Sequence, residues 1–187
     1  MTWEYLQTEE LDLRLKIIAA YLKGKTKDRV IVDLDCGTAR LIKFLEKNFK
    51  LYYGNDVNEE FIEIARGYGI KNSEFVVLPD NRVTEKINEI DILLMLGYGA
   101  GEYVRNDVES ETLTDSFKNL VVKFSPKIVI VEGIDLWERN YKAYSQIKKF
   151  LKEKGYRLDY ETYLQIGDVQ DEVYRRRIFF FQKEWRN

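Results

Sequence analysis

The sequence has no histidine, one cysteine and two prolines, and no apolar run approaches the roughly 20 residues that a membrane-spanning helix needs. Without imidazole the chain cannot build a His-based catalytic triad or an imidazole general base. Its lone thiol, Cys36, leaves a tetrahedral zinc site without its usual Cys and His ligands and excludes an internal disulfide. The chain does not need such staples, because a domain of 187 residues buries roughly 70% of its unfolded surface. Charge of one sign is also lacking: 30 basic side chains face 32 acidic ones, for a net charge of −2. No bulk field therefore draws the protein to nucleic acid or an anionic membrane, although a local patch is still allowed. The start, Met1-Thr2-Trp3-Glu4, lacks the basic and then apolar layout of a secretory signal. With the single cysteine, this predicts a cytoplasmic location.

What is present is charge, at 33% of residues, rich in Lys and Glu as heat-adapted proteins tend to be, and a regular alternation of elements. Short β-rich apolar runs alternate with stretches of helical periodicity, the pattern of βαβ units and a parallel sheet. An opening helix is predicted from Glu9 to Leu22, with Leu11, Leu15, Ile18 and Leu22 on one face. Arg29 to Leu34 follows as a buried strand, and then a helix with Leu41, Leu45 and Phe49 on its inner stripe. A second strand runs from Leu51 to Asp56, and Asn58 caps a helix with Phe61, Ile64, Ala65 and Tyr68 as its apolar face. Strands at Glu74–Leu78, Ile90–Leu96 and Lys127–Glu132 come next. Between the last two lies a helix from Leu113 to Phe124, with Thr112 and Asp115 spaced as a capping box variant. After a helix marked by Trp137, Tyr141, Tyr144, Lys148 and Leu151, two strand-like runs, Tyr156–Ile166 and Val173–Lys183, have no helix between them and predict an antiparallel hairpin. The expected fold is α/β: a Rossmann-like, seven-stranded, mostly parallel sheet with helices on both faces and this hairpin at its end. The expected organisation is one domain over 1–187, with 1–25 as an N-terminal helical cap and 29–183 as the core.

Ligands of open parallel sheets sit beyond the carboxyl ends of the strands. The first strand runs into Asp33-Leu34-Asp35-Cys36-Gly37-Thr38-Ala39, where small residues admit a ligand to the backbone and a following helix would offer its N–H groups to an anion. The second ends at Asp56, whose carboxylate can grip both hydroxyls of a ribose. The third ends at Pro79-Asp80-Asn81 and the fourth at Gly97-Tyr98-Gly99-Ala100-Gly101. That glycine series lacks the Lys and Ser or Thr of a P-loop and predicts a flexible substrate-side loop.

In these loops the chain resembles the class I S-adenosylmethionine-dependent methyltransferases. Their first-strand motif is commonly Asp-Leu-Gly-Cys-Gly-Thr-Gly, against Asp33-Leu34-Asp35-Cys36-Gly37-Thr38-Ala39 here; Gly54-Asn55-Asp56 is similar to the second motif and Asp80 to the third. The resemblance spans roughly Val30 to Lys183 and implies S-adenosylmethionine as cofactor. It places Asp33 and Gly37 beside the methionine portion, Asp56 on the ribose, Val57 against the adenine, Asp80 on its amino group, and the backbone of Leu96 and Gly97 under the donor sulfur. The chain departs from the motif at Asp35 and Ala39. If Asp35 is left-handed, Asp tolerates this better than most residues, at about 1 kcal/mol. Its carboxylate then either meets the methionine ammonium or crowds the methionine carboxylate.

The implied activity is methyl transfer to an acceptor. The donor step needs no proton transfer, so the missing His does not argue against it; positioning and desolvation carry the rate. An acceptor that must lose a proton would use Tyr98, Glu102, Glu132 or Asp135, all expected beyond the fourth and fifth strands. Leu96-Gly97-Tyr98-Gly99 has no Pro, unlike the Asn-Pro-Pro-Tyr of enzymes that methylate planar amide-like nitrogens, so such targets are disfavoured. A small-molecule acceptor is slightly favoured, with Trp3 and Tyr5 as a lid or as packing beneath the first helix. Structured RNA is an alternative acceptor, and a catalytically silent binding or scaffold module an alternative role; no membrane partner is expected. A nicotinamide-dependent oxidoreductase ranks last, because the first loop lacks Gly-x-Gly-x-x-Gly. Arg175-Arg176-Arg177 lies in a strand, where alternation splits the triplet between two faces. Lys148, Lys149, Lys152 and Lys154 fit a solvated helix face.

Overall fold

A computed structural model describes residues 9–96, 109–134, 137–169 and 172–184. In chain order the elements are α1 (Glu9–Leu22), β1 (Val30–Leu34), β2 (Leu51–Asp56), α2 (Glu59–Arg66), β3 (Ser73–Val77), β4 (Ile92–Leu96), α3 (Glu109–Phe124), β5 (Ile128–Ile134), α4 (Trp137–Glu153), β6 (Tyr156–Val169) and β7 (Glu172–Lys183). They form a seven-stranded sheet in the order β3-β2-β1-β4-β5-β7-β6. The first five strands run parallel, and β7 inserts antiparallel between β5 and β6, as the helix-free end of the sequence predicts. Strand order reverses at β1, which pairs with β2 on one side and β4 on the other. The carboxyl ends of β1 and β4 therefore flank the crevice where open α/β sheets take ligands.

Period-2 alternation sorts the strand residues into two cores. On one face Ile31, Leu94, Ile130, Ile178 and Phe180 pack with Leu15, Ile18 and Leu22 of α1 and Ile62 and Ala65 of α2. On the other, Val32, Leu93, Val129, Phe179 and Phe181 pack with Phe117, Leu120 and Val121 of α3 and Tyr144, Ile147 and Leu151 of α4. At the amino end of the sheet Asp91 accepts from the Val30 amide, Arg29 and Lys127, tying together the starts of β1, β4 and β5. The α2 cap is as expected: the Asn58 side chain accepts from the amides of Glu60 and Phe61.

Three expectations are corrected; at α2 the apolar face does not include Ile64, which is exposed, and Ile62 with Ala65 is buried instead. The helix after β1 is absent; a 3-10 helix at Arg40–Lys43 takes its place, followed by turns. Leu41, Leu45 and Phe49 are buried nonetheless, so the apolar spacing marks burial and not conformation. The cause is local. Ala39, at the N-cap position, is left-handed with φ 49° and caps nothing. The far end is pinned by Asn48, whose carbonyl accepts from the Asp28 amide and whose side chain accepts from Thr26. A 3-10 turn rises about 2.0 Å per residue against 1.5 Å for an α-helix, so the short connection returns to Leu51 with fewer residues. The anion-binding helix N-terminus expected here is lost with the helix. The capping box at Thr112 and Asp115 is likewise not formed, because α3 begins at Glu109 and both residues lie inside it.

Candidate functional site

The carboxyl ends of β1 and β2 and the start of the 3-10 helix at Asp80–Glu85 bring Asp33, Asp35, Asp56 and Asp80 together. The loop after β1 reaches this geometry through three left-handed residues: Asp35 (φ 51°), Gly37 (φ 54°) and Ala39 (φ 49°). It is fastened to β2 by two backbone amides, Cys36 N–H to the Asn55 carbonyl at 2.8 Å and Gly37 N–H to Asp56 Oδ2 at 2.9 Å. Asp56 Oδ1 accepts the Asn58 amide at 2.8 Å. Both oxygens of this buried carboxylate are thus oriented by the backbone, and the Asp35 side chain hydrogen-bonds to it as well. A side chain at Gly37 would meet nothing within 4 Å, so the loop leaves open space there.

Gly54 shows the opposite constraint. A Cβ on it would lie 2.8 Å from Cys36 Sγ and 2.8 Å from Phe75 Cδ1, so Gly54→Ala must push the loop or the ring aside. Overpacking of this kind costs about 1–3 kcal/mol, and chemical denaturation should register it as a lower midpoint at unchanged slope.

Sequence reasoning missed two supporting residues. Tyr52 donates to Asp33 Oδ2 at 2.5 Å, and Asn55 Nδ2 donates to Asp80 Oδ1 at 2.6 Å and to the Leu78 carbonyl at 3.0 Å. Strand pairing was their available signal: Asp33 lies opposite Gly54, two residues from Tyr52 on the same face. Two buried acceptors, Asp33 Oδ1 and Asn55 Oδ1, have no hydrogen-bond partner.

So many acids at one place cannot all ionise freely. Burial first, then the carboxylates of Asp56, Asp80 and Asp33, push Asp35 up to about 9, and its side chain shares a hydrogen bond with Asp56. Burial pushes Asp33 up to about 7 against the opposing Tyr52 hydrogen bond and Arg14 charge. Asp80 is raised by burial too, although Asn55 and the Asp35 amide hydrogen-bond to it. An acid whose folded-state pKa lies above its unfolded one contributes stability that is complete below the unfolded value and is lost as pH rises through the folded one. For Asp35 that window runs from about 4, the ordinary Asp value, up to about 9. Asp35→Asn keeps the shape without the ionisation, so its melting temperature should exceed that of the parent by more at pH 8 than at pH 5. A gap that does not widen with pH would contradict the crowding of charge around Asp35.

Of the other residues singled out in the sequence, Val57 is 67% exposed beside Asp56, and Leu96 ends β4, partly buried against the α1-side core. Gly97, Tyr98, Glu102 and Asp135, with Trp3 and Tyr5, lie outside the described residues. Glu132, a candidate base, is engaged otherwise: it is fully buried, with Oε2 2.6 Å from Arg14 and Oε1 2.8 Å from Arg176. Burial alone would raise its carboxyl, but the two guanidiniums outweigh this and hold it below the ordinary carboxylate range. A carboxylate with both oxygens paired and no exposed surface is a poor proton acceptor. As alternation predicts, Arg176 is buried on the α1 side while Arg177 turns to Tyr163 and Phe179.

The strand order is that of a Rossmann-like methyltransferase fold, and the chain's structural neighbours are methyltransferases. Magnesium protoporphyrin IX methyltransferase of Synechocystis, solved with bound S-adenosylmethionine, superposes with a TM-score of 0.69 at 14% identity, over 94% of this chain and 80% of that one. The N-methyltransferase NodS of Bradyrhizobium japonicum gives 0.69 at 12% identity, over 96% and 99%. In sequence, an uncharacterized RNA methyltransferase of Clostridium acetobutylicum is 31% identical over 126 residues, 64% of this chain. The chain spans 26% of that relative's length. No protein-family model matches the sequence. Among the described residues no helix is long and apolar enough to cross a membrane, and no group of three or more metal-ligating side chains is found.

Proposed function

We propose that the protein is an S-adenosylmethionine-dependent methyltransferase with a small-molecule acceptor. The observation that carries this reading is Asp56, a buried carboxylate oriented by the Gly37 and Asn58 amides at the end of β2, beside a glycine loop with room for a ligand. The residues present fit the cofactor. Asp56 offers a two-oxygen acceptor for ribose hydroxyls, and the unpartnered, buried Asp33 Oδ1 offers one for the methionine ammonium. Asp80 is an acceptor for the adenine amino group, and exposed Val57 an apolar surface for the ring. When bound, S-adenosylmethionine supplies an electrophilic methyl group on a sulfonium, which loses its charge on transfer. The acidic crevice would favour that cationic ligand before transfer and hold it less strongly after. Charge balance supports a small acceptor. The Clostridium relative, named as an RNA methyltransferase, supports structured RNA as a second reading.

Thermal melting tests the proposal. S-adenosylhomocysteine near 100 times its dissociation constant should add about 2.7 kcal/mol, or roughly 5–11 °C for a chain of this size, whereas a nicotinamide dinucleotide should add nothing. No shift with millimolar S-adenosylhomocysteine would sink the reading. Binding without any transfer to a broad acceptor panel would favour the silent-module alternative. Association with RNA that falls steeply with salt would move the acceptor to RNA.

A further inference from the structure

Among the described residues, the carboxyl end of the α1-side face sets two guanidiniums against one carboxylate. Glu132 lies in register with Leu96, the last residue of β4, and so on the opposite side of β1 from β2 and β3, whose ends carry Asp56 and Asp80. Two guanidiniums meet this one carboxylate: Arg14 reaches it from α1 and Arg176 from β7. Among the described residues one charge is balanced and the second is not. The next carboxylate acting on Arg14 is Asp33, which burial keeps partly protonated at neutral pH. The Arg14 Nε is itself buried and has no hydrogen-bond partner. A guanidinium is charged at any working pH and presents a planar fork of donors suited to a carboxylate or phosphate. A largely buried guanidinium with one unmade hydrogen bond, near the end of β4, has the chemistry to receive an oxyanion.

We propose that Arg14 and Arg176 receive an oxyanion of the methyl acceptor, so that the substrate is a small molecule bearing a carboxylate or phosphate. This rests on the methyltransferase reading and names its substrate class. Burial argues against a nucleic-acid backbone: the side chains of Arg14 and Arg176 are only 16% and 8% exposed, whereas polyanion backbones are met by exposed arrays of Lys and Arg. The other source of the same chemistry is the methionine carboxylate of the cofactor, and the experiment separates the two.

Inorganic phosphate, and then acetate, are titrated calorimetrically at constant ionic strength into protein saturated with S-adenosylhomocysteine. At least one should bind saturably at one site. Arg14→Gln should weaken that binding at least tenfold while affinity for S-adenosylhomocysteine stays within twofold, and Arg14→Lys should fall between. Arg14→Gln leaves Glu132 paired with Arg176, and Arg176→Gln leaves it paired with Arg14, so either variant keeps a neutral pair if the other fails to fold. Failure of both anions to saturate the parent protein would overturn the proposal, as would wild-type affinity in both Gln variants. If Arg14→Gln weakens S-adenosylhomocysteine but not methylthioadenosine, which lacks the amino-acid portion, the oxyanion is the cofactor's own and the acceptor assignment falls. Failure of the parent to bind S-adenosylhomocysteine would be a different result, removing the methyltransferase reading itself.

Discussion

Replacement of Asp56 by Ala is expected to remove nearly all stabilisation by S-adenosylhomocysteine. The carboxylate is held by two backbone amides, and in the proposed complex its oxygens take the two ribose hydroxyls, one of them in place of the Asp35 side chain. Two hydrogen bonds to a charged acceptor are worth about 1.5–3 kcal/mol each, so their loss weakens binding by roughly two orders of magnitude or more. At a ligand concentration near 100 times the parent's dissociation constant, the gain then falls from about 2.7 to about 0.4 kcal/mol, roughly 1 °C. The unliganded variant should also melt lower, because the Gly37 and Asn58 amides lose their acceptor. The informative quantity is therefore the ligand-induced shift of each protein and not its melting temperature. An unchanged shift would mean that the ribose is not held at the end of β2.

The order of elements was legible because burial and periodicity coincide along most of the chain. Residues 30–34 are apolar but for Asp33 and are buried throughout, and the absence of helical spacing between Tyr156 and Lys183 announced the reversed strand pair. The segment after β1 was not legible, because Leu41, Leu45 and Phe49 carry helical spacing while Ala39 and Asn48 dictate the path. A hydrophobic period reports which side chains are inward, and only the backbone constraints at both ends decide how the chain gets there. The candidate site divides along the same line. Asp33, Asp35, Asp56 and Asp80 could be found as acids at strand ends, since that rule needs only the strand order. Tyr52 and Asn55 needed the strand register as well, and the joining of Arg14 to Arg176 across Glu132 depends on the helix α1 closing over the sheet from far away in sequence. Asp35 was visible as a departure from the glycine motif. Its left-handed backbone and its place among three other acids turn that departure into a charge effect that pH can read.

Glu132→Ala should be the most destabilising single change among the buried charged residues at the strand ends. The side chain is fully buried and is the hydrogen-bonded partner of both Arg14 and Arg176. Its removal leaves two guanidiniums near each other at the end of the sheet with no counter-charge between them. Breaking a buried pair by removing one partner costs about 3–5 kcal/mol, which for this size of chain lowers the melting temperature by roughly 6–20 °C. Arg14→Ala should cost less, because a neutral Glu132–Arg176 pair survives. Adding Arg176→Met to Glu132→Ala should recover part of the loss, since it withdraws one of the unpaired charges and refills the volume with apolar atoms. That ordering, with the double variant more stable than the single, distinguishes a desolvated charge network from an ordinary surface pair, whose removal costs about 1 kcal/mol or less. A surface-pair magnitude for Glu132→Ala would mean that water reaches the triad, and the excess positive charge at the end of β4 would then need no bound oxyanion to balance it.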